Sequence, residues 1–90
     1  MATWTVKADH RRADYASITQ RLRALSDAIE GLSLRPVAPE QFHGADDGGD
    51  FRDFRTIAYL SHHRTEALEI IAEELIGEFG WVIDLSRNSD

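Results

Sequence analysis

Four histidines, His10, His43, His62 and His63, are the residues of this sequence best suited to chemistry near neutral pH. Imidazole titrates in that range and serves as general base, proton shuttle or metal ligand. Asp9 precedes His10, and His62 and His63 are adjacent. If the strand ending at His10 ran parallel to, and beside, the strand ending at His62, Asp9, His10, His62 and His63 would meet at one sheet edge. Two imidazoles and a carboxylate there would form a ligand or metal site. Adjacent side chains diverge, so only one of His62 and His63 could join it. Arg11, Arg12 and Arg64 would suit an anionic small molecule, and His10, His62 or His63 could act as a general base in a small enzyme. The plainer role for such histidines is to cap or solvate helix starts, and no metal or cofactor is assigned.

Other chemistry is weaker still. Asp46, Asp47, Asp50 and Asp53 surround Gly48 and Gly49, a carboxylate-rich loop of the kind calcium takes. The spacing lacks the alternate ligands and twelfth-position glutamate of a helix–loop–helix calcium site, which favours a solvated loop. No glycine-rich phosphate loop occurs. Ser17, Ser61, His62 and Asp84 supply the residue types of a hydrolytic triad, but without a nucleophile elbow. With no cysteine, thiolate metal sites, disulfides and thiol catalysis are all excluded. Catalysis is therefore disfavoured.

The broadest feature is electrostatic. Net charge is −6, yet residues 1–35 carry a net of +2 and residues 36–90 a net of −8. A basic face is what phosphate neutralisation requires, so direct nucleic-acid binding is not expected. Nine of the ten basic residues are arginine, which genome composition accounts for as readily as bidentate recognition does. Glu66, Glu69, Glu73, Glu74 and Glu78 line a single helix. Such a face is either simply solvated or a docking surface for a basic protein, with electrostatic steering of the encounter. Small acidic inhibitors of nucleic-acid-handling machinery, phage-encoded anti-defence proteins among them, follow the second strategy. The expectation is a small non-catalytic binding or regulatory domain acting through protein–protein contacts. A small-molecule or metal-sensing regulatory domain, and a small enzyme with a histidine base, are the alternatives.

The elements that must position these residues are legible from periodicity. Residues 3–8 alternate, with Trp4, Val6 and Ala8 on one face. Asp9 is a plausible cap for a helix over 13–31, whose stripe is Tyr15, Ile18, Leu22, Leu25, Ile29 and Leu32, ended by Gly31. Residues 33–37 form a weak strand, which Pro36 assigns to an edge. Residues 38–53 read as a long mobile loop. A central strand over 54–60 follows, and Ser61 is placed to cap the next helix, 65–79. Its stripe is Leu68, Ile71, Ala72, Leu75, Ile76 and Phe79. A last strand over 81–85 packs Trp81, Ile83 and Leu85 inward, leaving a polar tail, 86–90. This order predicts a single α+β domain over 1–85, a ferredoxin-like two-layer sandwich (β-α-β-β-α-β). A three-stranded sheet with two helices is the fallback if the weak strand fails. The open sheet face would show Thr5, Lys7, Tyr59, Val82 and Asp84.

Ninety residues bury only roughly 60–65% of the unfolded surface, so a homodimer is expected to supplement a thin core. No run approaches the ~20 apolar residues of a membrane span, and the first residues do not read as a signal peptide, which makes the cytoplasm the expected location.

Overall fold

The computed structural model describes residues 2–41 and 53–88. Strand β1 spans Ala2–Asp9, helix α1 Tyr15–Ala28 and strand β2 Ser33–Pro36; a single 3₁₀ turn, Pro39–Gln41, follows. Strand β3 is Phe54–His62 and helix α2 Thr65–Phe79; a second 3₁₀ turn, Gly80–Val82, leads into strand β4, Ile83–Arg87. The four strands lie in the order β2-β3-β1-β4, every neighbouring pair antiparallel. This is the expected α+β two-layer sandwich in a ferredoxin-like arrangement, with the weak second strand present.

One core unites the layers. Val6, Ala8, Leu60 and Ile83 of the sheet pack against Ile18, Leu22 and Leu25 of α1 and against Leu68, Ile71 and Leu75 of α2. Each of these valine, leucine and isoleucine side chains contributes about 1.5–3 kcal/mol on burial. Directly paired residues share a face, so the row Pro36–Ala58–Val6–Leu85 faces the helices. The row Arg35–Tyr59–Thr5–Ser86 lies on the open face. There the Arg35 guanidinium sits 4.7 Å from the Tyr59 ring centroid. A β-bulge between Val6 and Lys7 leaves Ile57 without a partner on β1. It allows three consecutive residues, Thr56, Ile57 and Ala58, all to be buried.

Several expectations are corrected. β1 and β3 run antiparallel, not parallel: Ala2 pairs with His62, and Asp9 with Phe54. Helix α1 is capped by Asp14, whose carboxylate accepts from the Ser17 backbone N–H, and not by Asp9. It ends at Ala28 because Ile29 is already extended, and Gly31 takes a positive φ of 84° in the turn beyond. Ser61 lies within β3, its hydroxyl 3.3 Å from that of Thr3, and α2 has no side-chain cap. Trp81 falls in the 3₁₀ turn and is half exposed, so it is not part of the inward face of β4, and Val82 leaves the open sheet face with it. Ile76, expected in the core, is 47% exposed. Ser86 and Arg87 belong to β4, not to a tail. Most of the long acidic loop, including His43, Asp46, Asp47 and Asp50, lies outside the described residues.

Candidate functional site

Antiparallel pairing divides the predicted histidine cluster. His10 follows the last residue of β1, whereas His62 pairs with its first. At ~3.3 Å per residue the two ends are roughly 23 Å apart. Asp9, His10, His62 and His63 therefore form two separate groups, and among the described residues no three metal-ligating side chains are gathered.

At the first end, Asp9 is fully buried. Its carboxylate accepts from the Arg11 backbone N–H at 3.0 Å, the Arg12 guanidinium at 3.1 Å and, at 3.5 Å, the Asp53 backbone N–H. Its own carbonyl accepts from the N–H groups of Arg12 and Ala13. Burial alone would raise its pKa, but these donors outweigh that and hold the carboxyl below its ordinary value. Asp9 thus folds the β1–α1 connection around itself. Beside it, His10 Nδ1 lies 2.9 Å from the Tyr15 hydroxyl, and Arg12 stacks 5.5 Å over the Trp81 ring. Burial, the largest influence on Tyr15, raises its pKa.

At the other end, His62 is buried, and both its ring nitrogens are bound to backbone. Nδ1 accepts from the Arg64 N–H at 2.9 Å, so it carries no proton. Nε2 therefore carries it, and donates to the Glu30 carbonyl at 3.1 Å. This imidazole joins the turn after α1 to the turn before α2. His63 is exposed and stacks on His62, centroids 4.5 Å apart. A Cβ at Gly31 would stand 3.3 Å from His62 Nε2, so glycine serves there for closeness as well as for its positive φ.

The two serines of the triad set are likewise engaged elsewhere. The Ser17 hydroxyl donates to Asp14, and Ser61 pairs with Thr3. Two surfaces remain.

The first is the outer face of α2. Glu66, Glu69, Glu73 and Glu74 are exposed, and none forms an ion pair among the described residues. Glu78 differs, pairing with Arg21 of α1 at 3.3 Å and so tying the two helices together. Ile70, 59% exposed, lies among these carboxylates. Periodicity could have found it: at 100° per residue it falls nearly opposite the Leu68–Leu75 stripe.

The second surface is a groove of about 720 Å³ between α1 and the β2 edge. Leu22, Pro36, Val37 and Ile57 supply its apolar wall, and Thr19, Gln20 and Arg23 its polar rim. Its lining comes from three separate chain segments, which is why no linear pattern announced it.

No protein family, curated protein or solved structure matches this chain. The reading of its function rests on these surfaces.

Proposed function

We propose that this chain is a non-catalytic binding domain, acting through protein–protein contact between the outer face of α2 and a basic partner. What supports this reading is the run of four exposed carboxylates, Glu66, Glu69, Glu73 and Glu74, without cationic partners among the described residues. Like charges at i,i+3 and i,i+4 destabilise an isolated helix by roughly 0.2–0.5 kcal/mol per pair. A cationic partner relieves that repulsion on binding and is steered to the face by it. Two copies meeting through this face would oppose carboxylates, so a homodimer would need another surface, such as the open sheet face. A basic, nucleic-acid-handling protein is the class of partner that fits.

The test is the E66K/E69K/E73K/E74K variant, titrated with a lysine-rich peptide at low and physiological salt. The variant is expected to keep its fold by circular dichroism and to lose at least about tenfold in affinity, with the salt dependence of the native protein largely gone. Unchanged binding would remove α2 from the interface.

A second reading is favoured by the α1–β2 groove, whose volume and apolar wall suit a small molecule. In that reading the domain senses a metabolite there, with Arg23 receiving an anionic group. A thermal-shift screen of apolar carboxylates should raise the melting temperature by several degrees, and Arg23→Gln should cancel the gain; a flat response across the panel defeats it.

A further inference from the structure

Three features on the outer face of α2 work against the stability of the isolated chain. Carboxylates crowd one another at i,i+3 (Glu66 and Glu69) and at i,i+4 (Glu69 and Glu73). No basic residue occupies the last turn. Ile70 is left 59% exposed. Gly77 occupies a helical position where alanine would be better.

The glycine is the informative residue. Gly31 and Gly80 have positive φ, which accounts for them; Gly77 does not. Beyond its own turn of helix, a Cβ built on Gly77 meets no atom of the described residues within 4 Å. Neither its backbone conformation nor crowding among the described residues requires glycine there. Gly77 lies seven residues after Ile70, so the two fall within about 20° of each other around the helix. Together they form a narrow strip free of charge, a protruding apolar group followed by a bare backbone. Glu66, Glu69 and Glu73 border it on one side and Glu74 on the other. A glycine on an exposed helix face lets a partner's backbone approach closely, and heptad spacing is the repeat of a helix-on-helix seam flanked by charges.

We infer that the partner element received by α2 is a basic amphipathic helix, laid along the Ile70–Gly77 strip with lysines or arginines facing the flanking glutamates. This rests on the reading of α2 as the contact face and adds the partner's conformation and the role of Gly77. An extended or disordered basic segment could satisfy the carboxylates but would gain nothing from the heptad-spaced strip. A second copy of α2 is excluded from this role by its own charge.

The experiment uses two fluorescent peptides of identical lysine-rich composition. One has apolar residues at heptad spacing; in the other they are scrambled so that no apolar stripe forms. The full chain is expected to bind the amphipathic peptide at least about tenfold more tightly. Gly77→Gln should abolish that preference, bringing the amphipathic peptide down to the affinity of the scrambled one. Gly77→Ala should raise the melting temperature by roughly 3–6 °C, confirming that glycine is not kept for folding. Equal affinity for both peptides, or a preference that survives Gly77→Gln, overturns the helical seam while leaving the acidic contact face intact. Absence of binding by either peptide, insensitive to E66K/E69K/E73K/E74K, overturns both.

Discussion

Alanine at Asp9 is expected to lower the stability of the domain by about 3 kcal/mol, enough to lower its melting temperature by roughly 15 °C. The carboxylate is fully buried and receives two backbone N–H groups and the Arg12 guanidinium. Deleting it leaves the N–H groups of Arg11 and Asp53 without their acceptor at the closed end of the sheet. Arg12, at 40% side-chain exposure, recovers hydration, which keeps the loss below that of a fully buried ion pair. Asparagine at the same position retains an acceptor for Arg11 and should cost only about 1–2 kcal/mol. The two proteins should also differ in their response to acid. The folded-state pKa of Asp9 is depressed, so its ionised form stabilises the fold above the ordinary aspartate pKa, about 3.9. That contribution is lost as pH falls through the lower, folded-state value. Asp14, held down by the Ser17 hydroxyl and backbone N–H, adds a loss of the same sign. Urea unfolding of wild type and Asp9→Asn between pH 7 and pH 3 separates the two residues. The stability gap should narrow on acidification, and a gap independent of pH would show that Asp9 is not ionised in the folded protein.

The second large effect is at His62. Replacement by alanine should cost about 2–4 kcal/mol, since it removes a buried ring and leaves the Glu30 carbonyl and the Arg64 N–H unpaired. His10→Ala and His63→Ala, at exposed positions, should each stay within about 1 kcal/mol of wild type. Denaturant melts of the three variants measure the contrast. Equal, small losses at all three would mean that His62 does not brace the two turns, and would reopen a chemical role for it.

Much of this architecture can be read from periodicity, because the stripes Ile18–Leu22–Leu25 and Leu68–Ile71–Leu75 repeat at helical spacing and are indeed buried. Even the edge position of β2 follows from Pro36, which cannot donate to a ladder. The antiparallel relation of β1 to β3 was within reach too. A crossover helix makes β1 and β2 parallel, and β3 opposes β2, so β3 must oppose β1. A parallel β1–β3 pair is incompatible with that topology, and the joint site of Asp9, His10, His62 and His63 is lost with it. Other features depend on contacts no local pattern contains. The role of His62 requires the Glu30 carbonyl, thirty-two residues away in sequence. The burial of Asp9 requires Asp53, forty-four residues away. On the outer face of α2 the glutamates were evident, whereas Gly77 becomes informative only once its surroundings are seen to be open and its φ ordinary.

The pairing of β1 with β4 has a kinetic consequence. The Thr5 hydroxyl donates to the Asn88 side chain, and the Asn88 N–H to the Thr3 carbonyl, across more than eighty residues. Forming that ladder means closing nearly the longest loop the described chain allows, and non-local pairings of this kind slow folding relative to helical bundles of equal size. Until residues 83–88 arrive, β1 presents a bare row of N–H and C=O groups along one side, a template for strand addition by another molecule. The final strand covers that row and leaves in its place its own edge, five residues long instead of eight, so its loss should be felt in the solubility of nascent or clipped chains.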